Sequence, residues 1–359
     1  VGSFPCAIAE RVRSSDADRA LIGRGVNILL VQLKRIGDLI LTVPAITAVR
    51  RQHPDARISL LVAHGGGALL PAIASIDRGF VMHSNLADLK NWFALVRGGF
   101  DACVDFTHTD RSAFFVVMSR SRRRITPRYV ELQSRFRAKW YNEYVDAPVR
   151  EMHTIDKHLA FVEPLGVREA SREIELTIPP EVNARAAKLA SGEFVLIHPG
   201  SARAEKFWEP KRWAAVIDRI QSTSGLRCVI TGGTSRFEQE QIAAIKSQHE
   251  TPVLDLSGKT NLLELAALVQ RARLLLTVDS APMHFAAAFH TPQVALFGPT
   301  NPFHWRPFSR NAVVLQGDSG KPLTEFAPHQ PRHSMSAIST GAVIDAMESL
   351  LSATAAARL

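Results

Sequence analysis

The sequence predicts an α/β protein of two domains, and three observations carry that expectation. Short runs rich in branched apolar residues alternate with apolar-periodic helices, the pattern of parallel βαβ units whose sheet is covered on both faces. The alternation runs twice, and between the runs Ser171–Pro180 holds the only Pro-Pro pair and no helical period, as a linker would. The chain has 359 residues, which at ~100–200 per domain fits two domains better than one.

The elements follow in order. Residues 1–25 form a leader, irregular or partly helical, with no legible chemistry. Val26–Val31 is a short buried strand by length and composition. Gly37 and Asp38 turn from it into a helix, Leu39–Gln52, closed by His53-Pro54. Ile58–Val62 is a second strand, ending in His64-Gly65-Gly66-Gly67. Asp101–Phe106 is another, followed by a helix over Arg111–Ser119, and Ile155–Leu165 is a helix stopped by Gly166. After the linker come strand Phe194–His198, helix Lys211–Thr223, strand Arg227–Thr231, helix Phe237–Ser247 and strand Val253–Asp255. Helix Asn261–Arg271, strand Leu274–Val278, helix Ala281–Phe289 and strand Gln293–Phe297 complete a doubly wound unit. The expected division is a leader over 1–25, a first domain over 26–175 and a second over 176–359 with a terminal helix.

Composition narrows the function classes. Hydrophobic residues make up 46% and charged residues 21%, which excludes disordered and fibrous architectures. No apolar run reaches the ~18 residues that span a bilayer. The leader carries Glu10, Asp16 and Asp18 among arginines and no apolar core of signal-peptide length, so a cytoplasmic protein is expected. Cys6, Cys103 and Cys228 lie far apart, so neither a disulfide framework nor a metal site is expected. The formal net charge of +9 favours acidic partners. The excess is concentrated in Arg120, Arg122, Arg123, Arg124, Arg128, Arg135, Arg137 and Lys139, offset only by Glu131. A solvated face would explain such a run, and so would an anionic, membrane-associated substrate. Nucleic acid is not expected, because no recognition motif is present and aromatics are only 7%.

Ligands of doubly wound sheets sit beyond the carboxyl ends of the strands, and the polar candidates fall there. In the first half, Lys34-Arg35-Ile36-Gly37-Asp38 ends the first strand. Asp38 reads either as a helix N-cap or as a carboxylate able to take a proton from a substrate hydroxyl. In the second half, three turns line up. His198-Pro199-Gly200-Ser201 leads to Lys206, whose compact charge suits a phosphate. Thr231-Gly232-Gly233-Thr234-Ser235 precedes Glu238 and Glu240, acids placed as ribose-binding carboxylates are. Val278-Asp279-Ser280-Ala281-Pro282-Met283-His284 joins a strand to a helix with Ser280 as N-cap and Pro282 in the first turn, an anion site. Together the three turns favour a nucleotide diphosphate.

Six segments carry a resemblance. ILLVQLKRIGDLILTVPAITAVRRQHPDARISLLV, DACVDFTHTDRSAFF, LIHPGSARAEKFWEPKRW, VITGG, DLSGKTNLLELAALVQRARLLLTVDSAPMHFAAA and ALFGPTNPFHWRP occur in the order of glycosyltransferase family 9, the lipopolysaccharide heptosyltransferases. From about Asn27 to Leu351 the chain resembles that family. The resemblance implies a GT-B architecture, two Rossmann-like domains facing across a cleft, with the acceptor on the first and an ADP-sugar on the second. It implies inverting, metal-independent transfer of L-glycero-D-manno-heptose to the lipopolysaccharide inner core, with no cofactor. By position it puts the general base on Asp38 and the lysine that steadies the departing diphosphate on Lys206. Asp279, Ser280, Ala281 and His284 surround the phosphates and sugar, with Gly200, Ser201, Gly232 and Gly233 also on the donor side. The ribose-contacting acid falls on Glu238, with Glu240 as the alternative.

Gly37, His108 and Arg111 are the acceptor-side candidates, and Arg122, Arg123 and Arg124 are expected to dock the anionic Kdo-lipid A type acceptor at the inner face of the cytoplasmic membrane. For His64 and His153 a structural role is expected, and Trp208 and Trp213 are expected to be core or loop anchors. Two departures from the family stand out: Gly200-Ser201 where some relatives have paired threonines, and Arg35 where small residues are common. An NDP-sugar 2-epimerase and a catalytically silent lipid-binding protein are the competing readings, and the pairing of Asp38 with Lys206 speaks against the second.

Overall fold

The computed structural model describes residues 25–83, 89–249, 251–318 and 320–356. Residues 1–24 of the leader, Cys6, Glu10, Asp16 and Asp18 among them, lie outside the described residues.

The first domain is built on β1 (Asn27–Gln32), α1 (Ile36–Ile40), α2 (Val43–Gln52), β2 (Arg57–Ala63), β3 (Arg78–Met82), α3 (Leu89–Val96), β4 (Ala102–Asp105) and α4 (Asp110–Met118). It continues through β5 (Arg123–Pro127), α5 (Tyr129–Gln133), α6 (Arg135–Ala138), β6 (Glu143–Val145) and α7 (Thr154–Val162). The six strands are parallel, in the order β3-β2-β1-β4-β5-β6. Side chains of β1 alternate between two cores, as a period of two requires. Ile28 and Leu30 pack with Ile46, Val49, Ile155 and Phe161 of α2 and α7. Leu29 and Val31 pack with Leu95, Phe115, Val116 and Val130 of α3, α4 and α5. The layer α3–α6 therefore covers one face of the sheet and α2 with α7 the other.

The helix expected over Leu39–Gln52 is two helices. Pro44 has no N–H to give and sits in the first turn of α2, where none is needed. At the break the Thr42 N–H donates to Leu39 O, and its hydroxyl donates to Asp38 O at 2.7 Å.

The second domain repeats the plan with α8 (Pro180–Leu189), β7 (Phe194–His198), α9 (Pro210–Ser224), β8 (Arg227–Ile230), α10 (Arg236–Lys246), β9 (Leu254–Asp255) and α11 (Leu262–Arg271). Then come β10 (Leu274–Val278), α12 (Ala281–Ala288), β11 (Gln293–Phe297), α13 (Pro302–Trp305), β12 (Ala312–Gln316) and α14 (Thr340–Ala356). Its parallel sheet is ordered β12-β11-β10-β7-β8-β9. Counted from its own first strand, each sheet has the order 3-2-1-4-5-6, so each switches winding direction beside its first strand, where such sheets open a ligand crevice.

The two domains share apolar packing. Leu39, Ile40 and Leu69 of the first belong to the same buried cluster as Leu263, Ala266 and Phe285 of the second. Trp208 and Trp213 are fully buried and meet edge to face at 5.1 Å, with the Trp208 Nε1–H donating to Ile338 O. They are core anchors, as expected. Among the described residues no helix is long and apolar enough to cross a membrane.

Candidate active site

On the second domain, three strand-to-helix turns converge. Lys206 is buried and its Nζ donates to Asp279 Oδ2 at 2.6 Å and to the Asp279 backbone carbonyl at 3.3 Å. Thr300 Oγ1 donates to the same carboxylate oxygen at 2.6 Å, so the turn after β11 joins those after β7 and β10. Ser280 stands at the N-cap of α12, but its hydroxyl turns back to Val278 O and toward Thr277 Oγ1 instead of capping. Pro282 has no N–H to offer and the Met283 N–H donates to Ser280 O, so in this first turn the Ala281 N–H is the one left to an incoming acceptor. His284, in the first turns of α12, is buried, and its Nδ1 has no partner. Burial holds its imidazole down to about 4, so it is neutral near pH 7.

Glu238 lies between two glycine turns. Its Oε1 accepts from Gly233 N at 3.2 Å and its Oε2 from Ser235 Oγ at 2.8 Å. A Cβ on Gly200 would lie 2.3 Å from Oε1 and one on Gly233 2.5 Å from Oε2, so the absence of side chains there makes room for the carboxylate. A Cβ on Gly232 would meet Ile242 Cδ1 at 2.5 Å, and Ser201 follows Gly200 at the partly exposed rim. Glu240 points elsewhere: it is exposed and paired with Arg236 at 2.6 Å. Of the two acids left open by the sequence, Glu238 is the one at the turns.

On the first domain, Gly37 and Asp38 lie in α1. Asp38 is not the N-cap, since Arg35 occupies that position, and the Asp38 side chain is half-buried in the first turn. Gly37 touches the second domain: a Cβ there would sit 3.2 Å from Cδ2 and 3.4 Å from Nε2 of His284. Asp38, the next residue of α1, lies close enough to Lys157 to act on its ammonium, while His284 of α12 feels the charges of Asp279 and Lys206.

Sequence reasoning missed Lys157, a lone cation within the apolar period of α7. Burial and the neighbouring Lys34 bring its ammonium down to about 8, while Asp38 opposes the shift. The next residue fixes its place, because His158 Nδ1 lies 3.1 Å from Thr42 Oγ1 and 3.3 Å from Leu41 O. No strand-end signal marks Lys157; only its charge inside an apolar stripe could have drawn attention.

His108 follows β4 in a left-handed conformation, φ 61°, which favours glycine. Asp105 holds it there: Oδ1 accepts from the N–H groups of Thr107 and His108, and Oδ2 from Ser112 Oγ and Tyr141 Oη. The His108 ring lies edge-on to Phe161 at 5.1 Å with neither nitrogen partnered. Burial, then Lys34 and Lys157, hold it well below the ordinary histidine range.

The expectation for Arg122, Arg123 and Arg124 needs correcting. Arg123 opens β5 and pairs in register with Ala102 at the start of β4, so the trio sits at the amino end of the sheet, opposite Gly37 and His108. Arg123 binds Glu143 through two nitrogens, at 2.9 and 2.6 Å, and Pro164 O at 2.7 Å. Arg124 donates to Trp140 O and Ser121 O. Arg122 is exposed at the same end, and Arg111 lies on the solvent face of α4. The arginine that does reach the strand-end loop is Arg137, donating to His108 O at 3.0 Å and to Asp110 at 2.8 Å. His153 spans the domains, with Nε2 3.0 Å from Arg306 O, and His64 is exposed. Among the described residues no cluster of three or more His, Cys, Asp or Glu side chains is placed to hold a metal ion.

The chain is 29% identical over 330 residues to lipopolysaccharide heptosyltransferase 3 of Escherichia coli, covering 88% of this chain and 96% of that one. The crystal structure of the glycosyl transferase family 9 protein of Veillonella parvula DSM 2008 superposes with a TM-score of 0.79 at 24% identity, over 91% of this chain and 98% of that one. The E. coli ADP-heptose lps heptosyltransferase II structure gives 0.75 at 19% identity, over 92% and 99%. The fold is therefore GT-B. Since the model of glycosyltransferase family 9 (heptosyltransferase) matches residues 89–330, from α3 through the turns after β7, β8, β10 and β11, the chain belongs to that family of glycosyltransferases.

Proposed function

We propose that this enzyme transfers a heptosyl group from ADP-L-glycero-D-manno-heptose to an anionic, Kdo-bearing lipid A type acceptor of the lipopolysaccharide inner core. The observation that carries the reading is the apposition of α1 and α12 through Gly37 and His284, with a carboxylate on one side and a buried lysine on the other. In the proposed step, Asp38 takes the proton of the acceptor hydroxyl as its oxygen attacks the anomeric carbon. The bond from that carbon to the phosphate oxygen breaks on the opposite face, so configuration inverts, and ADP leaves with the electron pair. Lys206 and the Ala281 N–H at the start of α12 meet the charge developing on the diphosphate, the stabilisation a single displacement needs. Ser280, Ala281 and His284 line that end of the helix, and Gly200, Ser201, Gly232 and Gly233 let backbone N–H groups approach. Glu238 receives the ribose hydroxyls. The donor is a substrate, and the step needs no resident cofactor and no metal ion.

On the acceptor side, Lys34, Lys157 and Arg137 are the cations placed to hold the anionic acceptor, with Gly37 and His108 around them. The names of the relatives support both substrates: one is a lipopolysaccharide heptosyltransferase and one is named for ADP-heptose. The enzyme would meet its acceptor at the inner face of the cytoplasmic membrane. The test is a transfer assay with ADP-, UDP- and GDP-heptose, each with and without re-extracted inner-core acceptor. Heptosylated acceptor with the ADP donor alone is expected. Sugar conversion without acceptor would establish an epimerase and overturn the reading.

A further inference from the structure

The outer face of the layer α3–α6 is unlike the rest of the surface. Among the described residues eight large hydrophobic side chains are exposed, and five lie on this one layer: Phe93, Phe114, Val117, Leu132 and Phe136. The most exposed are Leu132 at 82%, Phe136 at 68% and Phe93 at 61%, values far from those of side chains that merely edge a core. They are held in place from beneath. Trp92 packs between Phe114 at 5.4 Å and Phe115 at 5.6 Å, and Phe136 packs on Trp140 at 5.3 Å. Arg137, on α6, bonds Asp110 at the head of α4, so the two halves of the layer adjoin.

Cations are interleaved with these groups. Arg97, Arg111, Arg135 and Lys139 are exposed on the same segments, and none has a carboxylate within salt-bridge distance among the described residues. The acids of α4 and α5, Asp110 and Glu131, are already taken by Arg137 and Arg128. An apolar patch with unpaired cations suits a surface that is apolar a few ångströms below a layer of phosphates. A second copy of the chain would suit it poorly, because a two-fold contact through this patch would set arginine against arginine.

We infer that the outer face of α3–α6 docks on an anionic lipid bilayer, with Phe93, Phe114, Leu132 and Phe136 entering the headgroup boundary and the arginines meeting lipid phosphates. The inference deepens the acceptor reading above, since α4 starts in the loop that carries His108. Docking here would bring a lipid-anchored acceptor to the mouth of the cleft.

The test is co-sedimentation of the full chain with vesicles of phosphatidylcholine alone and of phosphatidylcholine mixed with phosphatidylglycerol. Binding to the mixed vesicles only is expected. The double variant Leu132→Asn/Phe136→Asn should bind them at least about tenfold more weakly. Phe237→Asn, which removes an exposed aromatic of the second domain, should bind as the parent does. Thermal melts establish that each variant folds, and should the double variant melt early, Phe136→Asn alone carries the test with a smaller loss in the same direction. Three results would overturn the inference: a parent chain that stays in the supernatant, a folded double variant that binds as tightly as the parent, or substitutions that split a dimer without altering vesicle binding. Because the vesicles contain neither donor nor acceptor sugar, this result is independent of whether the transfer reading holds.

Discussion

Lys206 is paired with Asp279, and its ammonium is the charge proposed to meet the departing diphosphate. With both side chains of that pair about nine-tenths buried, removing one partner strands the other. Lys206→Ala is expected to lower the unfolding free energy by about 3 kcal/mol, and to weaken ADP binding as well as turnover, because the charge acts in ground and transition states alike. Urea unfolding and ADP titration check the two halves; unchanged ADP affinity would move the phosphate site elsewhere. Lys157 makes a different kind of prediction. Lys34, Asp38, His108 and His158 surround it, and its ammonium titrates near 8. Above that pH it loses the charge proposed to hold the acceptor, so the acceptor KM should rise through about pH 8, and Lys157→Met should abolish that dependence. A parent KM flat across this range would remove Lys157 from the acceptor site. The strand-end positions of Lys206, Asp279 and Glu238 were legible in the sequence because turns there advertise themselves through glycine and caps. Lys157 was not, because a mid-helix position carries no such signal.

At the scale of elements, the glycine turns are shaped around a side chain. A methyl group at residue 200 would collide with the tip of Glu238, a flexible group that can swing away, so the fold should tolerate it while the carboxylate is displaced. Gly200→Ala should therefore change unfolding free energy by less than about 1 kcal/mol and weaken ADP about tenfold, with Glu238→Gln weakening it similarly. Calorimetric titration of ADP distinguishes this from a purely structural glycine, which would lose stability and keep affinity. Elements with branched apolar runs, such as β7, β10 and β11, were read from sequence to the residue. The strand β5 was not, since Arg123-Arg124-Ile125-Thr126-Pro127 shows charge where a buried strand usually shows valine. Its arginines were misassigned for the same reason: counting charge along the chain does not reveal that strand register puts them at the amino end of the sheet, bound to Glu143 and to backbone carbonyls.

Across the whole molecule, burial of histidines links the domains to pH. His198 and His284 are held to about 4 and His153 to about 3, in each case chiefly by burial. In the unfolded chain a histidine titrates near 6.5, so below that pH the unfolded state binds more protons than the folded one. Stability is therefore constant above about pH 7 and falls as pH drops toward 4, by about 2 kcal/mol per histidine at about pH 5. Urea midpoints from pH 7.5 to 4.5 should decline accordingly; a flat profile would mean that these rings take up protons in the fold as readily as in the unfolded chain.

The central claim is a division of labour, with proton removal on the first domain and the nucleotide on the second. Gly37 against His284 is the seam where the two meet. Asp38→Asn tests it most directly, when turnover and the ADP dissociation constant are measured on the same preparation. Turnover is expected to fall by ~10²–10⁴ with ADP affinity within about twofold of the parent. Undiminished turnover, or turnover and ADP affinity falling together, would contradict it.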